Sequence, residues 1–181
     1  MQKFLTVYRF PLLIRLMDVT LQNRRQNTVD RESFIAEIET CSDMMYRVAW
    51  SILRNEADVQ DALQDAILKA WEKREKLREE KFFRTWITRI LINVCYDTQR
   101  KHRKIVPLEK VPDPVPASAP DHDLAMALEA LPENLRLPLV LCYSEGMTYE
   151  EAADVLRIPM ATLQGRLRRG KKELRKELEA E

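Results

Sequence analysis

Apolar residues recur every three or four positions in the first half of this chain, which is the spacing of amphipathic helices. Three helices are predicted there: one begins near Asp30, one follows a turn at Arg54-Asn55, and one covers roughly Phe82 to Arg103. The core stripe of the first helix is Phe34, Ile38, Cys41, Met45, Val48 and Ile52. The corresponding stripes are Val59, Leu63, Ala66, Ile67 and Ala70 in the second helix, and Phe83, Ile87, Ile90, Leu91 and Val94 in the third.

The last third of the chain predicts a helix-turn-helix. Two helices come before it, near Asp123–Leu131 and Pro132–Ser144, and a kink is expected at Pro138. Thr148 is a favourable N-cap, and Glu151 completes a capping box that opens a short helix, which Pro159 helps to end. The core positions of that helix are Ala152, Ala153 and Leu156, and those of the final helix are Leu163, Leu167, Gly170, Leu174 and Leu178.

The two helical stretches are separated by Ile105 to His122, which contains five of the nine prolines and little periodicity. Such a segment is extended and cannot pack as a helix. With only 3 glycines, the composition favours an all-α protein of two small helical domains joined by this Pro-rich linker. The predicted boundaries are an N-terminal extension (1–29), a first domain (30–104), the linker (105–122) and a second domain (123–181).

The net charge is only +1, but acidic and basic side chains are segregated along the chain. The side of the second helix that lies opposite its core stripe is acidic, with one leucine among the charges: Asp58, Asp61, Asp65, Leu68 and Glu72. An ordinary solvated surface is one interpretation of this face. The leucine favours a partner surface.

The exposed face of the third helix combines cations, an amide and an aromatic ring, which suit phosphates, base edges and stacked single-stranded bases. Its residues are Thr85, Arg89, Asn93, Tyr96, Arg100 and Arg103. A basic surface helix with a half-buried tyrosine is an equally good interpretation. Trp86 lies near the apolar arc and is expected in the core. The final helix exposes small and amide side chains first and cations behind them, which suits insertion into a major groove.

Several classes of protein are disfavoured. The cysteines Cys41, Cys95 and Cys142 are odd in number and far apart, so neither a disulfide framework nor a metal site is expected, and a cytoplasmic location fits. No apolar run is long enough to span a membrane. The two histidines, His102 and His122, flank the linker, and neither a nucleophile–base pair nor a phosphate-binding loop appears. An enzyme is therefore not expected.

These motifs together resemble the extracytoplasmic-function (ECF) sigma factors of bacterial RNA polymerase, over about Arg31–Lys104 and Leu124–Leu178. The run Asp58-Val-Gln-Asp-Ala-Leu-Gln-Asp65 is similar to the acidic helix with which the family grips the polymerase clamp. The resemblance implies four residues that bind core polymerase: Asp58, Asp61, Gln64 and Asp65.

The run Phe83-Arg-Thr-Trp-Ile-Thr-Arg-Ile90 resembles the family's helix that engages and opens the minus-ten element. The segment from Lys73 to Phe82 falls where the family places a loop around a flipped-out base. Together with the polar face of the third helix, this implies minus-ten contacts from Arg89, Asn93, Tyr96, Arg100, Lys101 and Arg103.

The segment Leu131–Leu141 and the helix-turn-helix resemble the domain that reads the minus-thirty-five element. The implied DNA contacts are Ala161, Thr162, Gln164, Gly165, Arg168, Arg169 and Lys172. Arg157 stands where a turn glycine is common, and Gln164-Gly165 replaces a frequent Lys-Ser pair, so the promoter sequence stays open.

As partners the resemblance implies core RNA polymerase, promoter DNA and an anti-sigma factor, with neither a cofactor nor a small-molecule substrate. The alternative from the residues alone is a stand-alone helix-turn-helix regulator. Such a regulator normally needs a dimerisation surface and palindromic half-sites, and it leaves the first domain unexplained.

Overall fold

The computed structural model describes residues 30–77, 79–105 and 122–179. These residues form helices joined by turns and short connections, without a strand among them, which confirms the all-α prediction. The predicted N-terminal extension and nearly all of the predicted linker lie outside the described residues. Within the described part, no helix is both long enough and apolar enough to cross a membrane.

Seven α-helices within the described residues form two bundles. The N-terminal bundle contains α1 (Arg31–Leu53), α2 (Glu56–Glu72) and α3 (Phe83–Ile105), with 3₁₀ turns at Arg74–Lys76 and Glu80–Phe82. The C-terminal bundle contains α4 (His122–Ala130), α5 (Glu133–Leu139), α6 (Tyr149–Leu156) and α7 (Met160–Glu179), with a π-helical turn at Val140–Ser144.

The breaks between the first helices follow from local capping chemistry. The Asp30 carboxylate accepts the Ser33 backbone N–H at 2.8 Å and so caps α1. Arg54 ends that helix in the left-handed region, at φ 53°. Asn55 then caps α2, since its side chain accepts the Asp58 N–H at 3.1 Å. The predicted turn at Arg54-Asn55 is confirmed.

Aromatic side chains join the three helices of the N-terminal bundle. The ring of Phe34 lies 5.1 Å from that of Trp71 and 5.6 Å from that of Phe83, both edge-on, which is a preferred aromatic geometry. The predicted core stripes of α1 and α2 are buried throughout. On α3, however, Ile90 is only half-buried, whereas Ile92 is buried. Because α3 packs against both α1 and α2, its buried arc is wider than one stripe.

Proline shapes the helix that leads to the helix-turn-helix. Pro132 was predicted as the first helical position, but it is the N-cap of α5, which begins one residue later at Glu133. Pro138 lies inside α5, and the helix widens directly afterwards, because the Glu145 N–H bonds the Val140 carbonyl five residues back, at 2.9 Å. Pro138 lacks the backbone N–H that would bond the Asn134 carbonyl, so regular α-helical bonding is broken at the proline, and the wider turn comes after it.

The predicted helix-turn-helix is present. Thr148 and Glu151 form the reciprocal capping box at the start of α6. Arg157 ends that helix with a φ of 53°, in the left-handed region that glycine adopts most easily. This geometry explains why a turn glycine is common at the corresponding position in the family that the sequence resembles.

Two details of the predicted stripes were wrong in this motif. Val155 is buried in α6, whereas Leu156 is only half-buried. Leu178 is 43% exposed, because the last turns of α7 extend past the bundle. Gly170 is required by packing: a Cβ there would lie 3.0 Å from Leu139 Cδ1, so α5 and α7 approach closely at this residue.

The two bundles pack against each other, which the sequence did not predict. Helix α1 contacts α5 and the π-helical turn, and α3 contacts α6. Arg136 of α5 is 5% exposed, and its Nε donates to the Ser51 carbonyl of α1 at 2.9 Å. Gln99 Nε2 donates to the neighbouring Ile52 carbonyl, also at 2.9 Å. Side chains thus satisfy carbonyls that the end of α1 leaves without helical partners.

Candidate functional site

The acidic face of α2 is a solvent-exposed surface. Asp61, Gln64 and Asp65 are exposed, and Leu68 between them is 41% exposed. We refer to these four residues as the acidic face. Asp58, predicted with them, is different: its carboxylate is only 16% exposed and lies 3.3 Å from His102 Nδ1. It faces the end of α3 rather than open solvent.

The predicted minus-ten residues lie on α3, and part of this face is covered. Arg89 is half-buried and paired with Asp154 of α6. Tyr96 is half-buried and lies near the Glu133 carboxylate. Burial, together with the charge of Glu133, raises the pKa of Tyr96 to about 12. Thr85 Oγ1 is 3.5 Å from the Glu151 carboxylate.

The other predicted minus-ten residues whose side chains are described are exposed, including Asn93, which lies between Arg89 and Tyr96 along α3. Asn93, Arg100 and Lys101 are exposed, and Arg100 pairs with Asp97 one turn earlier on the same helix. Arg103 belongs to the last turn of α3, and its side chain lies outside the described part. Trp86 is half-buried, with its ring 5.8 Å from that of Phe83, so it packs against the core as expected.

The predicted recognition residues lie together along α7. Gly165 is partly exposed, and a Cβ at that position would meet nothing within 4 Å. Arg169 Nε donates to the Gly165 carbonyl at 3.4 Å, a marginal intrahelical bond. The remaining residues of the set are exposed: Ala161, Thr162, Gln164, Arg168, Arg169 and Lys172.

Beside this face lies an open cleft of about 400 Å³ that sequence reasoning missed. It is lined by Tyr149, Gln164, Leu167, Arg168, Lys171, Lys172 and Arg175. Tyr149 shares a hydrogen bond of 2.9 Å with the hydroxyl of Tyr143. The Lys171 ammonium lies 4.5 Å from the centre of the Tyr143 ring. This arrangement offers hydroxyl and cationic donors of the kind that hold phosphates.

A second missed cluster joins the two bundles. Glu145, with a side chain only 2% exposed, accepts two hydrogen bonds from Arg47, at 2.7 and 2.9 Å. Arg84 Nη2 lies 3.7 Å from the same carboxylate. Hydrogen bonding to Glu145 raises the pKa of Arg47, so the guanidinium stays protonated. The partners are 98 positions apart in sequence, which no local pattern could reveal.

Potential metal ligands are scattered among the described residues, and two of the cysteines are buried. They contain no group of three or more histidine, cysteine or acidic side chains that could hold a metal ion. Burial raises the pKa of Cys41 to about 11 and that of Cys95 to about 12. Both thiols therefore stay protonated at neutral pH and are poor nucleophiles. The exposed surfaces carry the acidic face on α2, cations on α3 and a row of amide and basic side chains on α7.

Comparison with known families matches both bundles. Residues 38–105 match sigma-70 region 2, and residues 121–174 match sigma-70 region 4. The chain is 30% identical over 148 residues to the ECF RNA polymerase sigma factor SigE of Mycolicibacterium smegmatis, covering 74% of this chain but only 57% of that one. It is 30% identical over 141 residues to the RNA polymerase sigma factor SigV of Bacillus subtilis, covering 75% and 85%.

A solved structure has the same arrangement of helices. The sigma factor RpoE of Bartonella quintana, in complex with the anti-sigma factor NepR, aligns with a TM-score of 0.71 and 25% identity. The alignment covers 82% of this chain and 98% of that one.

Proposed function

The chain belongs to the sigma-70 family, among the ECF sigma factors, and from this we propose that it binds core RNA polymerase and directs promoter-specific initiation of transcription. We propose that it has no catalytic activity of its own and acts in the cytoplasm. The observation that carries the proposal is the occurrence, in order, of an acidic face, a basic helix and an exposed recognition helix within regions 2 and 4. If the chain were a stand-alone regulator, the acidic face and the basic helix would have no role.

The acidic face is proposed as the contact with core polymerase. Asp61 and Asp65 are one helical turn apart and exposed, and Leu68 adds apolar surface beside them. An apolar centre with charges around it is the usual composition of a specific protein interface. Asp58 is proposed to act with them, although its carboxylate points towards His102.

The α3 face is proposed to bind and open the minus-ten element. Arg89, Arg100 and Lys101 supply cations, Asn93 supplies an amide, and Tyr96 supplies a ring for a stacked base. Taking a base out of the duplex costs a few kcal/mol, so opening requires such a binding surface rather than chemistry on the protein.

Helix α7 is proposed to read the minus-thirty-five element. Exposed small and amide side chains stand at its N-terminal end, and the cations follow. Two DNA-binding domains joined by a Pro-rich linker can bind two DNA elements at once. When one domain binds its element, the effective concentration of the second domain at the other element rises. The domain boundaries 30–104, 105–122 and 123–181 are proposed on this basis.

An anti-sigma factor is proposed as a further partner. RpoE of Bartonella quintana, which has the same arrangement of helices, was solved with the anti-sigma factor NepR. That likeness supports an anti-sigma partner for this chain as well, without indicating its identity.

Transcription in vitro tests the proposed function. The purified chain, added to core RNA polymerase and a library of genomic promoter fragments, is expected to give transcripts that start at a defined subset of the fragments. Core enzyme alone and the chain alone are the controls. An absence of chain-dependent transcripts from the whole library contradicts the proposal.

Residues near the start of α7 are expected to contact bases, whereas residues further along the helix are expected to contact only the DNA backbone. Gln164 is exposed near the start of the helix, and its amide can pair with adenine at two positions. Gln164→Ala is expected to change the preferred minus-thirty-five sequence, by roughly 1–3 kcal/mol at one base pair. Lys172→Ala is expected to weaken all promoters alike and to lower the slope of log affinity against log salt by about 1.

Both variants are measured across a randomised minus-thirty-five library, at several salt concentrations. Each variant serves as the control for the other, because both truncate one exposed polar side chain of the same helix. A uniform loss for Gln164→Ala means that this residue does not read bases. A loss confined to particular sequences for Lys172→Ala means that it does more than hold a phosphate.

A further inference from the structure

Helix α7 contains two glycines in its interior, and the packing of the chain explains only one of them. A glycine inside a helix destabilises it relative to alanine. At Gly170 a Cβ would lie 3.0 Å from Leu139 Cδ1 and 3.3 Å from the Leu135 carbonyl oxygen, so close packing excludes a side chain there. At Gly165 a Cβ would meet nothing within 4 Å. Packing therefore does not require a glycine at position 165.

The backbone does not require a glycine at position 165 either. Among the described residues, a positive φ occurs only at Arg54, Gly146 and Arg157, and Gly165 lies within α7. Alanine and most other residues adopt helical backbone angles more readily than glycine does. Gly165 thus weakens α7 without helping it to pack, and a role in binding accounts for it.

Gly165 is the centre of a shallow depression on the exposed face of α7. Side chains four positions apart lie in one row along a helix. Ala161, Gly165 and Arg169 form such a row, and the first two offer only a methyl group and bare backbone. We refer to the space over Ala161 and Gly165 as the notch. The exposed amide of Gln164 lies beside it.

The floor of the notch is apolar, and a hydrogen-bond donor lies at one edge. The Ala161 methyl group and the Gly165 Cα form the floor. Arg169 Nε donates to the Gly165 carbonyl at 3.4 Å. Since helix carbonyls point towards the C-terminal end of a helix, the Arg169 guanidinium lies at the C-terminal edge of the notch.

The edge of thymine matches this combination of groups. Of the groups that base pairs present in the major groove, only the C5 methyl group of thymine is apolar, and the O4 acceptor belongs to the same base. Apolar contact with a small side chain is a common way of reading that methyl group. A Cβ at position 165 would occupy the space that the methyl group needs.

We propose that Gly165 is a specificity-determining residue of α7, because its missing side chain admits the C5 methyl group of a thymine in the minus-thirty-five element. In this arrangement Arg169 donates to O4 of the same base, and Gln164 reads an adjacent base pair. This inference rests on the function proposed for α7.

Replacing thymine by uracil tests the inference, since the two bases differ only by the C5 methyl group. The probe is the fluorescein-labelled duplex that the parent chain with core polymerase prefers in the randomised minus-thirty-five library. Each thymine of that duplex is replaced in turn, and affinity is measured by fluorescence anisotropy. At one position the parent is expected to bind the uracil duplex about fourfold more weakly, as for the loss of one buried methyl group.

Gly165→Ala is expected to reverse this preference. Its added methyl group overlaps that of the thymine, so the variant should bind the thymine duplex about tenfold more weakly than the parent does. Uracil at the same position removes the overlap and should restore part of the affinity. The variant should also unfold at a higher urea concentration than the parent, because alanine favours the helix and its Cβ meets no neighbour.

Gly170→Ala is the matched control, because it adds the same methyl group to the same helix away from the notch. It is expected to unfold at a lower urea concentration, since its Cβ would lie 3.0 Å from Leu139 Cδ1. Its ratio of affinities for the thymine and uracil duplexes should equal that of the parent, because such a ratio does not depend on the folded fraction.

The outcomes separate this inference from the function proposed for α7. If the library yields no preferred sequence, that function is wrong and the inference is overturned with it. If a sequence is preferred but no thymine shows an effect of its methyl group, only the inference is overturned. The same holds if Gly165→Ala keeps the parent's preference for thymine, or if it is less stable than the parent. An equal loss of affinity for both duplexes also overturns it, because a stiffer helix rather than a lost contact then explains the effect.

Discussion

Replacing both Asp61 and Asp65 by lysine is expected to weaken binding to core RNA polymerase by about 100-fold, because a charge reversal at an interface costs several kcal/mol. Both side chains are exposed one turn apart on α2, away from the buried stripe that includes Leu63 and Ala66. The fold should therefore tolerate the change. Affinity is measured by fluorescence anisotropy of the labelled chain titrated with core enzyme, and helix content by circular dichroism.

Glu32→Lys/Glu39→Lys is the matched control, because it reverses two exposed charges on α1 of the same bundle. Its affinity for core enzyme is expected to stay within a few-fold of the parent. If the folded Asp61/Asp65 variant binds core enzyme as tightly as the parent, the acidic face is an ordinary solvated surface. A loss of equal size in both variants would indicate only a general effect of charge.

The helices could be predicted from the sequence because their causes are local. Spacings of three and four identify the buried stripes, and Asp30, Asn55 and Thr148 are capping residues whose partners lie three positions away. The errors occur where tertiary packing decides burial. Ile90 and Leu178 fit the periodicity, but the position of a neighbouring helix decides whether such a residue is covered.

The candidate surfaces could be predicted only in part, for the same reason. The positions of Gln164 on α7 and of Asp61 on α2 follow from the helical wheel, and both are exposed. The helical wheel does not predict that Arg89 and Tyr96 are covered, because the residues beside them, Asp154 and Glu133, belong to the other bundle. A partner that is dozens of positions away leaves no periodic signal in a single sequence.

The contact between the bundles also gives some acidic residues of the C-terminal bundle a second structural role. The sequence identifies Glu151 as a capping residue of α6, but it does not single out Glu145. In the structure Glu151 is in addition 3.5 Å from Thr85, and Glu145 holds Arg47. One side chain can therefore stabilise a local element and an interface together, so its substitution affects both.

Arg136 is expected to be the most sensitive residue of the fold. Its guanidinium is buried and donates to the carbonyls of Ser51, Leu131 and Glu129 at 2.9, 2.7 and 3.2 Å. Burial and the positive charge of Arg54 lower the pKa of Arg136, and the carboxylates of Glu133 and Glu129 offset part of that effect. These carbonyls lie at or near the ends of α1 and α4, where helical partners are lacking.

Replacing Arg136 by methionine keeps most of the side-chain volume but removes all of these donors. The variant is expected to lose roughly 3–5 kcal/mol of unfolding free energy, because buried carbonyls are left unsatisfied and Glu129 loses a nearby positive charge. Arg136→Lys is expected to lose less unfolding free energy, because it keeps the positive charge. It still loses some, because a single ammonium group cannot reach the three carbonyls that the planar guanidinium reaches. Urea denaturation of the full-length chain, followed by circular dichroism, measures both losses.

The control is Arg175→Met, the same substitution at an exposed position of α7, which is expected to change the unfolding free energy by no more than about 0.5 kcal/mol. Because the Ser51 carbonyl belongs to the other bundle, Arg136→Met should also separate the bundles in molecules that remain folded, seen as a larger radius of gyration without urea. An Arg136→Met variant as stable and as compact as the parent would mean that water can replace the guanidinium at these carbonyls. The contact between the bundles would then depend on the carboxylate pairs and on apolar packing, and not on this arginine.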